Sequence, residues 1–143
     1  MNLSNYIKYT QGLAYASANS SRNGATLDMQ GWDGVLVLCK CATIAAGASG
    51  DIHMEQDTAS GMGSYADLEG TKQVIQAGDS DKLFAIDLYR PLERYVRAVI
   101  TKDGANAQAE TVLYIQYTGR KLPVSNMGAD GYELHVSPTE GTK

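Results

Sequence analysis

The sequence predicts an all-β protein: an antiparallel β-sandwich or jelly roll of about seven to eight strands carrying an extended N-terminal arm. Two observations lead there. From Gly34 onward, short runs of β-branched, aromatic and apolar residues alternate with clusters of Gly, Asp, Asn and Ser, and sustained helical periodicity is lacking throughout. A chain of 143 residues is also long enough for one core, since folding at that size buries roughly 70% of the unfolded surface.

Residues 1–30 are rich in Asn, Ser, Gly and Ala, lack periodicity of either type and carry Tyr6, Tyr9 and Tyr15. They read as an arm, either a plain flexible terminus or a segment that orders when docked, for which tyrosine offers large contact area at low entropic cost. Residues 31–143 read as a single sandwich domain ending in a short polar tail.

The first run, Val35–Ile44, is apolar on both alternating faces and predicts a central strand. In Asp51–Gln56, Ile52 and Met54 share one face with Gln56 while His53 and Glu55 take the other, as expected of a half-exposed strand. Ser60–Ser64 and Asp67–Gly70 read as connection, Lys72–Gln76 as a short strand and Gly78–Asp81 as a turn. Phe84, Ile86 and Leu88 define the buried face of Leu83–Tyr89. Pro91 cannot donate to a ladder, so the chain should bend at Arg90-Pro91 before Tyr95–Ile100 resumes as a strand. Asp103–Asn106 has turn chemistry and predicts a hairpin pairing Tyr95–Ile100 with Thr111–Tyr117. A last short strand is expected at Tyr132–Val136, before a polar tail from Ser137 to Lys143.

Composition narrows the functional classes. The net charge is −4, which argues against a nucleic-acid partner, because phosphate neutralisation needs clustered Lys and Arg. No stretch approaches the roughly 18 apolar residues of a membrane span, and the first nine residues hold no apolar run of the kind a secretory signal needs. A soluble chain with no membrane partner is the expectation. Cys39 and Cys41 would face the same way in a strand, a poor geometry for a mutual disulfide, and are expected to be buried reduced thiols.

Catalytic vehicles are missing from the pattern. His53 and His135 are the only histidines, and neither stands in a spacing that places two ligands on one metal. There is no nucleophile elbow, Walker loop or dinucleotide fingerprint, and Asp79-Ser80-Asp81 lacks the later residues of a calcium loop. No catalytic residue, metal ligand or cofactor is assigned, and an enzyme is not expected. The densest basic group is Arg90, Arg94 and Arg97 around Tyr95. These residues suit a protein interface, in which Arg and Tyr are favoured, or they pair with nearby carboxylates such as Asp87 and Glu93. The candidate interface residues are therefore Tyr6, Tyr9, Tyr15, Arg90, Arg94, Tyr95 and Arg97.

Three segments carry a further signal: Asp87–Arg97, Ile115–Val124 and His135–Thr142. In order and approximate spacing they resemble capsid decoration, or cement, proteins encoded in tailed-phage morphogenesis regions. That resemblance implies a β-sandwich or jelly roll on the outer face of an icosahedral head, assembled in the host cytoplasm. Its partners would be the major capsid protein and further copies of itself. A tail or head-tail joining component, or a carbohydrate-binding β-sandwich, are the alternatives; for the latter, Trp32 is the only tryptophan.

Overall fold

The computed structural model describes residues 2–124, 127–137 and 139–140. After one 3₁₀ turn at Leu3–Asn5, ten strands follow: β1 (Lys8–Ala18), β2 (Arg22–Asn23), β3 (Leu27–Asp28), β4 (Trp32–Ile44), β5 (Ser49–Asp57), β6 (Ala66–Asp67), β7 (Gln73–Gln76), β8 (Leu83–Tyr89), β9 (Tyr95–Lys102) and β10 (Gln108–Gly119). They form two antiparallel sheets. One has the order β1-β10-β4-β8; in the other, β9 and β5 are central, with β2 and β3 on the free side of β9 and β6 and β7 on that of β5.

The predicted β-sandwich is thus the observed fold, and its core lies between the sheets. Side chains at every second position of four long strands meet there: Val35, Val37, Cys39 and Cys41 of β4, Ile52 and Met54 of β5, Val96, Ala98 and Ile100 of β9, Val112 and Tyr114 of β10. The period-2 geometry of strands produces this segregation. β4 sits between β10 and β8, as its two apolar faces predict. Cys39 and Cys41 are free and buried. Phe84 and Leu88 of edge strand β8 pack against the core only partly, while Ile86 is buried.

Three expectations differ from the structure. Residues 8–28, read as arm, supply three strands: β1 runs antiparallel to β10 from Lys8↔Gln116 to Ala18↔Gln108, and β2 and β3 pair with β9. Irregularities between Gln11 and Leu13 and between Leu13 and Ala16 break the alternation of β1, which hides it from a period-2 search. Tyr6 and Tyr15 are exposed and Tyr9 is half-buried.

The hairpin expected at Asp103–Asn106 is an arch between sheets. The turn forms, with Gly104 at φ 81, but β9 and β10 belong to different sheets. Their inward faces meet across the core, where the Tyr114 hydroxyl oxygen accepts a hydrogen bond from the Ala98 N–H at 2.9 Å.

Tyr132–Val136 is not a strand, and its side chains are exposed. The segment after β10 instead returns towards the N-terminus: Val124 N–H donates to Asn5 O (2.9 Å), Tyr9 N–H to Met127 O, and Tyr132 Oη to Ser4 Oγ (2.6 Å). Within the expected polar tail, Pro138 and residues 141–143 lie outside the described residues.

Candidate functional site

Three connections converge at one end of the sandwich: the link from β3 to β4, the link from β8 to β9, and the residue following β10. Arg90 N–H donates to Asp33 O (2.7 Å), Met29 N–H to Arg94 O (2.9 Å) and Arg120 N–H to Gly31 O (2.9 Å). These backbone bonds fix the connections to one another. Between them lies an open groove of about 620 Å³, lined among others by Trp32, Asp33, Arg90, Leu92, Arg94 and Arg120.

Local chemistry shapes this end. Arg90 adopts φ 54, a left-handed conformation uncommon for a side-chain-bearing residue. It turns the chain out of β8, and Pro91 with its fixed φ follows. The bend expected at Arg90-Pro91 is therefore present, and it leaves Leu92 89% exposed.

The groove is ringed by guanidinium groups. Arg94 binds Asp28 in a fork, Nε to Oδ1 at 2.9 Å and Nη2 to Oδ2 at 2.7 Å. That hydrogen bonding holds the Asp28 carboxyl below its ordinary range. Arg120 Nη2 stands 3.2 Å and Arg90 Nη2 3.9 Å from the two oxygens of Asp33. Arg90 lies over the Tyr89 ring (5.2 Å) and Arg94 over the Tyr95 ring (5.1 Å). One half-buried carboxylate thus faces two largely exposed guanidinium groups, which remain open to a partner's acceptors.

Of the sequence-predicted interface residues, Arg90 and Arg94 line this groove and Tyr95 lies beneath Arg94. Arg97 belongs elsewhere: on the outer face of the other sheet its Nε donates to Glu55 Oε2 at 2.6 Å, the Tyr65 ring lies 4.9 Å away, and only 12% of its side chain is exposed. Tyr6, Tyr9 and Tyr15 do not line the groove. Arg120 was not singled out by the sequence, although it stands in one of the three resembling segments. Its place depends on the register that sets Gly119 opposite Trp32, which no local pattern reveals.

A second cluster of chemistry-bearing groups lies on the outer face of β5. His53, Glu55 and Asp67 each offer a ligand atom, all within 4.8 Å of one another. Sequence spacing assigned no metal ligand because Asp67 arrives from another strand, directly opposite Glu55.

No protein-family model matches this chain, and no curated protein matches its sequence. Solved structures similar in fold include the following two. The crystal structure of PBSX exported protein XepA aligns with 100% of this chain at 17% identity and a TM-score of 0.53. The chain covers 44% of that protein, less than half its length. A structure described as "Bacillus endospore appendages form a novel family of disulfide-linked pili" aligns over 79% of this chain and 88% of its own, at 14% identity and a TM-score of 0.51. At such identities the likeness is one of architecture, and it establishes that this chain shares its β-sandwich with an exported protein and with a pilus-forming protein.

Proposed function

We propose that this chain is a non-enzymatic structural protein of a phage particle, a cement protein that binds the outside of the head and bridges major capsid subunits. The observation that carries this reading is where the resembling segments fall. Arg90, Leu92 and Arg94 come from Asp87–Arg97 and Arg120 from Ile115–Val124, so two segments distant in sequence build one groove. Exposed Arg and stacked Tyr are residues that protein interfaces favour, and the protruding Leu92 adds apolar surface beside them. The architecture shared with a pilus-forming protein is consistent with a subunit of an assembly. The net charge of −4 suits an exterior position away from packaged DNA, and the partners are the major capsid protein and other copies of the chain.

Binding to the assembled shell alone stabilises that shell by mass action. The groove supplies fixed guanidinium groups to carboxylates or carbonyls at a junction between subunits, and Leu92 supplies apolar contact. The test is binding of the purified chain to shells stripped of it. Replacing Arg90, Arg94 and Arg120 by Ala together weakens binding at least about tenfold, equivalent to roughly 1.4 kcal/mol, and unchanged affinity overturns the assignment of this groove. Trp32 in the groove lining also suits a sugar face. Glycan binding abolished by Trp32→Ala, with no shell binding, would favour a carbohydrate-binding module instead.

A further inference from the structure

The outer face of β5 gathers ligand chemistry. Alternation along Asp51–Asp57 turns Asp51, His53, Glu55 and Asp57 away from the core. Asp57 is engaged by the following loop, accepting from the N–H groups of Ala59 (3.0 Å) and Ser64 (2.8 Å). The other three face one another.

His53 Nδ1 lies 2.7 Å from Asp51 Oδ1. An ionised carboxylate has no proton to give, so Nδ1 is the donor, and it is in the neutral form of the ring that Nε2 presents a lone pair. That lone pair faces Glu55 Oε1 at 3.7 Å and Asp67 Oδ1 at 3.7 Å, separations too long for hydrogen bonds. The Glu55 side chain is only 6% exposed. Its Oε2 is held by Arg97, whereas Oε1 has no hydrogen-bond partner among the described residues and is aimed at the imidazole. With the ring neutral, three electron-pair donors converge here.

We propose that His53 Nε2, Glu55 Oε1 and Asp67 Oδ1 bind a divalent transition-metal ion of the zinc type, with solvent completing its coordination. Metal–ligand bonds of about 2.0–2.2 Å place tetrahedral ligands roughly 3.3–3.6 Å apart, close to the separations around His53. The remaining adjustment falls to Asp67, whose side chain is 74% exposed and free to rotate. The half-buried His53 and the buried Glu55 already have the outer partners that metal sites use: Asp51 fixes the imidazole, and Arg97 fixes the far oxygen of Glu55. The imidazole favours such an ion over calcium or magnesium, which want more oxygen ligands than this site offers.

Charge and access agree with the assignment. Asp51, Glu55 and Asp67 are countered locally by Arg97 and by Lys72, whose Nζ lies 3.6 Å from Asp51 Oδ2, so negative charge remains in excess. An open cavity of about 350 Å³ adjoins His53 and Asp67. Because β6 comprises only Ala66 and Asp67, an ion bound here clips the crossover between β5 and β7 to the sheet.

The full chain, freed of metal by a chelator, is titrated with Zn²⁺ by calorimetry and with Co²⁺ by visible absorption. One ion per chain, Co²⁺ ligand-field bands and an unfolding temperature that rises with metal concentration are expected. His53→Ala removes all three, Asp51→Asn weakens affinity about 10- to 100-fold, and His135→Ala changes nothing. Asp67→Asn, at an exposed position that folding tolerates, also weakens binding. The proposal is overturned by absence of saturable uptake in the unmodified chain, or by equal uptake in folded His53→Ala or Asp67→Asn variants.

Discussion

The Tyr114 ring occupies the space that a side chain at Gly12 would need, for a Cβ there lies 2.7 Å from the ring carbon Cζ. The contact joins β1 to the inward face of β10, and the hydroxyl oxygen reaches across the core to the N–H of Ala98 at 2.9 Å. β9 is bordered by β2 and β3, with residues 24–26 between them, and the Tyr114 hydroxyl satisfies a donor opposite that gap. Tyr114→Phe leaves the buried N–H unpaired, at a cost of about 1–3 kcal/mol. Gly12→Ala overpacks the ring, at a cost of about 1–3 kcal/mol. Urea denaturation should show lower midpoints with unchanged slopes for both. Burial pushes the Tyr114 pKa up to about 12, so the hydroxyl stays neutral throughout the physiological range.

Lys102 carries a buried charge: its side chain is 0% exposed, with Nζ 2.9 Å from Glu110 Oε2 and bonded to the carbonyls of Ala18 and Gln108 at 3.0 Å each. Arg22 meets the other Glu110 oxygen at 2.8 Å. Removing Lys102 leaves Glu110 Oε2 buried without its ammonium, with Arg22 holding only the other oxygen. Lys102→Met should cost about 3–5 kcal/mol, and Lys102→Met with Glu110→Leu should recover much of that loss. Chemical denaturation of the two variants in parallel checks this.

Asp103 organises the arch between the sheets. Its Oδ1 accepts from the N–H of Ala105 (2.9 Å) and Asn106 (3.0 Å), and its Oδ2 from the N–H of Ser49 (3.1 Å). The backbone donors of Asn106 and Ala105 hold its pKa down to about 2, from an ordinary 3.8. A folded pKa below the unfolded one stabilises fully above about pH 3.8, and that contribution is lost as pH falls through about 2. The Asp103 carboxyl should titrate near pH 2 by NMR, and Asp103→Asn should flatten the loss of stability between those two values. A titration at the ordinary carboxyl value would contradict the capping role.

The fold was legible where alternation is regular. Val35–Ile44 reads as a central strand, and β4 does lie between β10 and β8 with Val35, Val37, Cys39 and Cys41 against the other sheet, while Phe84, Ile86 and Leu88 show the single inward face of edge strand β8. β1 was not legible, since its irregularities disrupt the period and Gly12 is a glycine on account of Tyr114, a residue some hundred positions away. The Tyr132–Val136 run has a strand's composition without a strand's partner. At the candidate sites, Arg90 and Arg94 stood out as a local cluster. Arg120 and Asp67 did not, because register alone brings them to their places. A carboxylate or imidazole at every second position from Asp51 to Asp57 was the one local sign of the β5 cluster.

The groove arginines should separate stability from binding. Arg120 is exposed and its Asp33 contact is solvated, so Arg120→Ala should leave unfolding unchanged within about 0.5 kcal/mol while weakening attachment to shells. Arg94→Ala should raise the Asp28 pKa towards 3.8, readable by NMR, because the guanidinium that favours the ionised carboxyl is gone. An Arg120→Ala variant that unfolds readily would assign that residue to the fold rather than to docking.

The account's central claim is that this chain is a cement protein on a phage head, and the most direct measurement is its position in a reconstruction of the particle. Density for the sandwich outside the shell, with Arg90, Arg94 and Arg120 facing a junction between major capsid subunits, is the predicted result. Particles without this chain, or a location confined to the tail, would contradict it.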